Sequence, residues 1–205
     1  IGKLLSDLEE TGQLQNTLIV LLADHGEELG DHGKLLHDQV YEESVRIPLL
    51  LAFPESDPRT KQQFSPRRIR SSVQITDVLP SIARYVGLEP PPGVQGESLL
   101  PLLADDTQDE RPVYFRTRSG SQYGVRQGRW KWIEIRGSHD ELYDLSEDPG
   151  ETNNVAAQFP AKAIQLKHTL KVWEERTAAS RVTPGELRPI GPSLRRELEA
   201  LGYVE

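Results

Sequence analysis

The chain has 205 residues, a formal net charge of −8, no cysteine and no methionine. This acidic balance argues against a nucleic-acid partner, because phosphate contacts need clustered Lys and Arg. The missing cysteines exclude disulfides, thiolate metal sites and a cysteine nucleophile within these residues. No apolar stretch approaches the roughly 20 residues that a membrane-spanning helix needs. Because the chain starts at Ile1 and lacks methionine, we interpret it as part of a longer protein.

The chain opens with a predicted helix. Leu4, Leu5 and Leu8 lie on one helical face, and Gly12 supplies a stop. An apolar run at residues 17–23 follows after a short turn, and its composition predicts a buried strand. A helix followed by a strand is one unit of an α/β layer, so the opening of the chain predicts an α/β fold.

Two apolar runs, at residues 17–23 and 47–53, enclose a polar segment that is punctuated by glycines. Val, Ile and Leu without polar alternation are typical of strands that are buried on both faces of a parallel sheet. Ligands bind at the carboxyl ends of such strands. Asp24 and His25 directly follow the first run, so we expect them at a binding site.

The middle of the chain predicts a loop and a helix. Residues 54–70 are polar and contain several prolines, which favours a surface loop, and residues 71–74 can form a short strand. The amphipathic helix that follows ends at Gly87, and its Pro80 falls near the first turn, where a missing N–H matters less. The apolar positions of this helix are Ile75, Val78, Leu79, Ile82, Ala83 and Val86.

From residue 112 the pattern changes to short strands, which predicts a division into residues 1–111 and 112–205. Gly128 suits a tight hairpin between two of the strands. The predicted strands cover residues 113–116, 123–127, 129–135 and 141–145. Two helices follow, and the first can cover the sheet. Their apolar positions are Ala163, Leu166, Leu170 and Trp173 in the first and Leu194, Leu198 and Leu201 in the second.

The triplet Asp24-His25-Gly26 has the residue types of a cation site. A carboxylate and an imidazole that are adjacent in sequence reach one ion only where the backbone turns sharply, and Gly26 permits such a turn. Mixed oxygen and nitrogen donors suit calcium, manganese or zinc and do not choose among them. The alternative interpretation is that Asp24 caps the following turn and that His25 is a buried, hydrogen-bonded histidine.

A longer pattern extends from this triplet. It reads DHGE, then LGDHG, then a histidine at position 37, then YEESVRIPLL. The segments QGESL at 95–99, R-x-G-x-x-K at 126–131 and ELYDL at 141–145 follow in order. Together they resemble the sulfatase family of the alkaline-phosphatase-like superfamily. The resemblance implies the C-terminal part of an α/β/α sheet, followed by a small antiparallel sheet subdomain covered by a helix.

The resemblance also implies roles for individual residues. In the family the matching Asp and His ligate a divalent cation, usually calcium, so Asp24 and His25 are the predicted metal ligands, with manganese or zinc as further possibilities. His37 stands where relatives carry a lysine or histidine that contacts the sulfate, which predicts a substrate-binding and catalytic residue. The other interpretation of His37 is a solvent-facing loop histidine.

The family nucleophile is a formylglycine made within a Cys/Ser-x-Pro-x-Arg motif. No such motif occurs here, because the chain has no cysteine and Ser65-Pro66-Arg67 has the wrong spacing. We therefore predict that the nucleophile and the remaining metal ligands lie outside this chain, and that the segment alone is inactive. The predicted partners are the rest of the catalytic domain and a small-molecule or carbohydrate sulfate ester. The resemblance favours a periplasmic or secreted protein.

Two other function classes stay open. A phosphoester or phosphonate monoester hydrolase of the same superfamily can use the same Asp-His site, since sulfate and phosphate esters are both tetrahedral. An inactive module that binds sulfated glycans is the third possibility.

Several further polar residues are expected to play supporting roles. His32 is predicted to shape its loop. A generic surface role is predicted for Arg116, Arg118 and Lys131, with contact to an anionic substrate from the small sheet as the alternative. The remaining set is expected to be solvated or to order the loop, with one member contacting His37 or Arg46. This set consists of Glu27, Glu28, Glu42 and Glu43.

Overall fold

The computed structural model describes residues 1–64, 66–104 and 110–179, together with Gly191 and Arg196. Its α-helices are α1 (Gly2–Glu10), α2 (Glu42–Val45), α3 (Pro58–Gln63), α4 (Val78–Tyr85), α5 (Leu100–Ala104) and α6 (Pro160–Ala179). Its strands are β1 (Ile19–Leu22), β2 (Glu28–Leu29), β3 (Leu35–Leu36), β4 (Leu49–Ala52), β5 (Val113–Arg116), β6 (Gln122–Gln127), β7 (Trp130–Ile135) and β8 (Glu141–Asp144). The predicted mixture of helices and strands is confirmed.

Residues Ile1–Glu174 form one compact unit and Glu175–Glu205 form a second. The predicted boundary after residue 111 falls inside the first unit, so the division into two domains stays a prediction. The predicted tail helix with Leu194, Leu198 and Leu201 lies outside the described residues, and so does Ser65. Among the residues that are described, no helix has both the length and the apolar character that crossing a bilayer requires.

β1 and β4 form an antiparallel pair, in which Ile19 lies opposite Ala52. The prediction that the two apolar runs belong to a parallel sheet is wrong. A parallel connection needs a crossover of a dozen or more residues, usually a helix. The chain between β1 and β4 instead contains the antiparallel pair β2–β3 and the four-residue helix α2. Burial on both faces is also wrong for β4, since Leu50 is 59% exposed.

The predicted central helix is confirmed as α4, and Gly87 follows it with a φ of +78°. Residues 71–74 form no strand, so that prediction is wrong. The side-chain oxygen of Gln74 accepts a hydrogen bond from the Tyr114 backbone amide at 2.7 Å, and the backbone amide of Gln74 donates to the Asp77 carboxylate at 2.7 Å. Side-chain capping thus satisfies backbone donors that a strand would have paired in a ladder.

The C-terminal sheet has the antiparallel order β5–β6–β7–β8, which confirms the four predicted strands. Gly128 forms the tight turn between β6 and β7 with a φ of +60°, a conformation that glycine adopts without steric cost. Helix α6 covers one face of this sheet, as predicted. The buried core of that face comprises Tyr123, Val125, Trp132, Leu142, Val155, Ala163, Leu166 and Leu170.

The opposite face of the sheet contacts residues 24–46, which we call the site segment. Ile133 belongs to a buried cluster with Val40 and Tyr41 of that segment. Successive side chains of a strand point to opposite faces, so Lys131 lies on the same face as Ile133. The small sheet therefore supports the site segment directly.

Candidate active site

The site begins at the turn after β1. The Gly26 amide donates a hydrogen bond to the Ser44 carbonyl oxygen at 2.8 Å. A β-carbon at position 26 would lie 1.8 Å from the backbone oxygen of Glu43. Any side chain here would therefore clash with the backbone of α2. Glycine is needed at this position for the close approach of two backbones.

The side chains of Asp24 and His25 converge after this turn. The Asp24 carboxylate accepts a hydrogen bond from the His25 amide at 3.1 Å, and its Oδ2 lies 3.6 Å from His25 Nε2. Nδ1 of His25 lies 2.7 Å from the Gly26 carbonyl oxygen. A carbonyl only accepts, so Nδ1 donates and Nε2 keeps its lone pair in the neutral ring. The His25 side chain is 43% exposed, which contradicts the alternative of a buried histidine.

His37 joins the same surface. Its ring stacks on the ring of His25, with centroids 4.0 Å apart and an interplanar angle of 26°. Nδ1 of His37 lies 3.6 Å from Oε2 of Glu27. His37 directly follows β3, and the pairing of β3 with β2 returns the chain to residues 25–27. Asp24, His25 and His37, which were singled out in the sequence, are thus neighbours.

Glu28 connects the turn after β1, which carries His25, to the chain after β3, which carries His37. We call these two segments the histidine arms. Its side chain is almost fully buried, and its Oε1 accepts hydrogen bonds from the Gln39 amide and from the Ser44 hydroxyl, both at 2.8 Å. Ser44 in turn accepts from Gly26, and Gln39 lies two residues after His37. One carboxylate therefore fixes the spacing between the two histidine arms.

His32 orders the loop of the site segment, as predicted. Its Nδ1 lies 2.5 Å from Oε1 of Glu43, its Nε2 lies 3.2 Å from the Glu151 carbonyl oxygen, and its ring stacks on Tyr41 at 3.7 Å. Burial opposes the charged ring, but the hydrogen bonds to Glu43 and to the Glu151 carbonyl outweigh it and raise the pKa of His32. A charged ring donates to both acceptors at once.

A buried ion network joins the small sheet to the site segment. Nζ of Lys131 lies 2.8 Å from Glu151 Oε1 and 3.1 Å from Glu42 Oε1. Arg126 lies 3.2 Å from the other Glu42 oxygen, and the Glu42 amide donates to Glu151 Oε2 at 2.6 Å. The Lys131 side chain has no solvent exposure. Its predicted surface role is therefore wrong, because the face that it shares with Ile133 is covered.

The other supporting predictions have mixed outcomes. The glutamates order the loop, and Glu27 is the one that approaches His37. Arg116 and Arg118 are exposed, in agreement with a surface role. The alternation of Trp130, Lys131 and Trp132 places the lysine on the face opposite the tryptophans, but it gives no sign that this face is covered.

The donors at this surface fit a divalent cation. Single ligand atoms of His25, Glu27 and His37 lie within 4.8 Å of one another. Calcium bonds of 2.3–2.6 Å allow two ligand atoms of one ion to be up to about 5 Å apart. The Asp24 carboxylate lies 3.6 Å from His25, so this pair alone also satisfies the limit. Calcium takes six to eight oxygen ligands, so further oxygens must complete its shell.

Two surface cavities lie elsewhere. The first, of about 630 Å³, is lined by residues that include Asp57, Arg59 and Tyr85. The second, of about 310 Å³, is lined by residues that include Arg126 and Arg129. Neither is lined by Asp24, His25 or His37, so the candidate site rests on converging side chains at an exposed surface.

Residues 30–178 match the family described as "N-sulphoglucosamine sulphohydrolase, C-terminal". The chain belongs to the sulfatase family. The resemblance seen in the motifs is thereby confirmed, and the matched region of the sulfatase includes His37 and the whole C-terminal sheet.

Named sulfatases are similar over most of this chain. Arylsulfatase K from Mus musculus is 28% identical over 186 residues, which is 83% of this chain and 32% of that protein. An N-acetylglucosamine-6-O-sulfatase from Bacteroides thetaiotaomicron is 31% identical over 188 residues, again 83% of this chain and 32% of that protein. The chain thus spans about a third of the length of the curated relatives it matches.

Solved structures give the same fold. The yidJ protein from Bacteroides fragilis has a TM-score of 0.71 at 27% identity, covering 86% of this chain and 39% of that chain. BT4656 in complex with its substrate D-glucosamine-2-N,6-O-disulfate has a TM-score of 0.65 at 28% identity, covering 85% and 37%. The phosphonate monoester hydrolase of Agrobacterium radiobacter has a TM-score of 0.65 at 25% identity, covering 86% and 38%. The sulfatase chain therefore has the predicted α/β fold.

Proposed function

We propose that this chain supplies the metal-binding and sulfate-binding residues of a sulfuric ester hydrolase. Asp24 and His25 would hold a divalent cation, with calcium as the first choice, and His37 would contact the sulfate group. The observation that carries this proposal is the convergence of the three side chains. His25 lies 3.6 Å from Asp24 on one side and stacks on His37 at 4.0 Å on the other.

Each residue has a defined task in this proposal. The bound cation supplies positive charge that stabilises a tetrahedral sulfate anion. The bond from His25 Nδ1 to the Gly26 carbonyl holds the ring so that Nε2 is presented as the ligand atom. His37 offers ring N–H groups to a sulfate oxygen and, when protonated, can donate a proton to the leaving oxygen. Glu27 orients His37 through its Nδ1 side.

The nucleophile belongs, in this proposal, to residues outside this chain. A formylglycine in a Cys/Ser-x-Pro-x-Arg motif is what the family uses, and this chain contains no such motif. The segment of 205 residues is therefore expected to hydrolyse no sulfate ester by itself. Hydrolytic activity is therefore to be measured on the full-length protein.

We further propose a carbohydrate sulfate ester as the substrate. The support is the chemistry of two similar proteins, one named N-acetylglucosamine-6-O-sulfatase and one solved with a glucosamine disulfate. The exposed position of His25 and His37 leaves room for a polar, anionic sugar at this surface.

The test measures hydrolysis of N-acetylglucosamine 6-sulfate and of p-nitrophenyl sulfate by the full-length protein in the presence of calcium. His37→Ala is expected to lower kcat/KM by about 10²–10³, the usual loss for one donor to a developing anion. Asp24→Asn is expected to lower both activity and calcium affinity. Asp7→Asn and His168→Ala, at exposed positions on helices, are matched controls. Activity that survives both Asp24→Asn and His37→Ala contradicts the proposal.

A phosphonate or phosphate ester hydrolase is the second candidate. The similarity to a phosphonate monoester hydrolase favours keeping it, because an Asp-His site serves either tetrahedral anion. Parallel assays with p-nitrophenyl sulfate and phenyl phosphonate esters separate the two candidates by the ratio of kcat/KM. A full-length protein that binds sulfated sugar but hydrolyses none of these esters supports the third possibility, an inactive binding module.

A further inference from the structure

We propose that His25, Glu27 and His37 form a binding site for a borderline transition-metal ion, with Zn²⁺ or Co²⁺ as the ligand class. This role goes beyond the proposed function, in which Asp24 and His25 hold a hard cation and His37 contacts sulfate. In that function Glu27 only orients His37, so a role for Glu27 as a metal ligand, together with the two imidazoles, is additional. The site follows from the arrangement of these three side chains.

The donor types of these three side chains suit a transition-metal ion. Two imidazoles and one carboxylate are the ligand set that suits zinc and cobalt, whereas calcium prefers oxygen ligands throughout. Three protein ligands with a fourth position left for water is a common arrangement for Zn²⁺. Asp24 is not among the three side chains whose ligand atoms group together.

The ring of His25 is already oriented as in a metal-binding histidine. Nδ1 of His25 donates to the Gly26 carbonyl oxygen at 2.7 Å, so the lone pair of the neutral ring is on Nε2. Metal-binding histidines typically donate their other ring N–H to a carbonyl or carboxylate in this way. The ring of His37 stacks on this one at 4.0 Å, and Glu27 lies 3.6 Å from His37 Nδ1.

The spacing of the three ligand atoms is close to that of one coordination sphere. The three ligand atoms lie within 4.8 Å of one another. Zinc bonds of about 2.0–2.1 Å place two ligand atoms of one tetrahedral ion about 3.3 Å apart. The side chains of His25, Glu27 and His37 are 43%, 49% and 47% exposed, so small rotations about their side-chain bonds close the remaining gap without disturbing a packed core.

A buried hydrogen-bonded carboxylate holds the backbone beneath the exposed side chains. Glu28 is 1% exposed and bonds both to the Gln39 amide, near His37, and to the Ser44 hydroxyl, whose residue accepts from Gly26. The backbones that carry the two histidines are therefore held at a fixed separation. A preorganised set of ligands loses less entropy when it binds an ion.

The transition-metal site and the proposed function share His25 and His37, and the competition between them rests on that proposed function. A transition-metal ion held by these rings would occupy the groups that calcium and sulfate need. Zn²⁺ is therefore expected to inhibit hydrolysis, and inorganic sulfate is expected to weaken Co²⁺ binding. The direct binding test does not depend on hydrolysis.

The experiment titrates the full-length protein with CoCl₂, recording visible d–d absorption, and with ZnCl₂ by isothermal titration calorimetry. One ion is expected to bind per chain, with d–d bands of a low-symmetry, four- or five-coordinate site. His37→Ala and Glu27→Gln are each expected to weaken binding at least tenfold. His168→Ala, at an exposed position on α6, is expected to change the Kd less than threefold, and Asp24→Asn is expected to weaken binding less than His37→Ala does. Circular dichroism checks that each variant is folded.

Absence of Co²⁺ bands, or an unchanged Kd in His37→Ala or in Glu27→Gln, overturns this inference. A loss of binding in Asp24→Asn as large as in His37→Ala also overturns it, because the ion then sits in the hard-cation site. None of these outcomes contradicts the proposed calcium-dependent hydrolysis of sulfate esters. Conversely, a protein that binds Zn²⁺ but hydrolyses no sulfate ester in calcium buffer free of zinc overturns the proposed function and leaves the transition-metal site in place.

Discussion

Nζ of Lys131 lies 2.8 Å from Oε1 of Glu151, and both side chains are completely shielded from solvent. Lys131 belongs to β7, whereas Glu151 follows the last strand of the sheet and has a positive φ of +53°. Glu151 also accepts from the Glu42 amide at the start of α2. Burial raises the pKa of Glu151, although the Lys131 charge works in the opposite direction. The pair therefore anchors the site segment to the small sheet.

We predict that Lys131→Met destabilises the protein. Removing one partner of a buried ion pair leaves an uncompensated charge and costs about 3–5 kcal/mol. The measurement is the free energy of unfolding in urea. Lys171→Met, at an exposed position of α6, is the control and is expected to change stability by no more than about 0.5 kcal/mol.

The double variant Lys131→Met with Glu151→Gln sharpens this test. Removing both charges leaves less uncompensated charge, so the loss is expected to be smaller than in Lys131→Met alone. A single variant no less stable than the Lys171→Met control shows that the pair does not anchor the segment.

The raised pKa of His32 predicts a pH-dependent contribution to stability. The folded state holds the proton more tightly than the unfolded state, in which the pKa is about 6.5. The contribution of His32 is therefore full below about pH 6.5 and is lost as the pH rises through the raised folded-state pKa. Hydrogen bonds to a charged ring contribute about 1.5–3 kcal/mol.

His32→Gln tests this contribution through the free energy of unfolding between acidic and alkaline pH. The difference between the natural protein and the variant is expected to be largest at the acidic end and to shrink as the pH rises. His168→Gln serves as the control, since this histidine is exposed on α6. A difference that grows with pH would show that His32 is held neutral.

Gly26→Ala is predicted to damage both stability and the site. The added β-carbon would lie 1.8 Å from the Glu43 backbone oxygen, and backbone cannot yield as a flexible side chain can. Forced overpacking of this kind costs about 1–3 kcal/mol. Gly2→Ala, where a β-carbon meets nothing within 4 Å, is the matched control and is expected to be neutral or stabilising. Equal melting temperatures for the two variants would contradict the predicted close approach.

Calcium is predicted to stabilise the full-length protein through Asp24 and His25. At a free concentration of about 100 times the Kd, a ligand that binds only the folded state adds about 2.7 kcal/mol. The melting temperature should therefore rise with CaCl₂ and fall again with EGTA. Asp24→Asn should abolish the rise, whereas Asp7→Asn should preserve it. A calcium effect that is unchanged in Asp24→Asn would place the ion elsewhere.

Local sequence patterns were sufficient to predict much of the secondary structure. The four strands of the C-terminal sheet follow from short alternating runs, and helix α6 follows from Ala163, Leu166 and Leu170 at helical spacing. Gly87 and Gly128 have the positive φ values that their turns require. The motif around Asp24 and His37 identified the family without any information on tertiary contacts. These features depend on neighbours in sequence, which local composition reports directly.

The contacts that connect distant segments needed the tertiary structure. The direction of β4 against β1 depends on how the connecting chain packs, and apolar composition is the same for a parallel or an antiparallel partner. Similarly, Lys131 is polar in sequence and buried in the fold, because Glu42 and Glu151 approach it from far along the chain.

The sequence by itself thus determined the sulfatase family, the four C-terminal strands and the helices α1, α4 and α6, and it singled out the three residues of the predicted site. Only the tertiary structure decided that Glu27 stands beside His37, that Glu28 fixes the spacing of the two histidine arms, and that the small sheet holds them through Lys131. The physical reason is that a charged side chain needs a charged or hydrogen-bonding partner only when folding buries it. That partner comes from a distant part of the chain, so local sequence does not identify it.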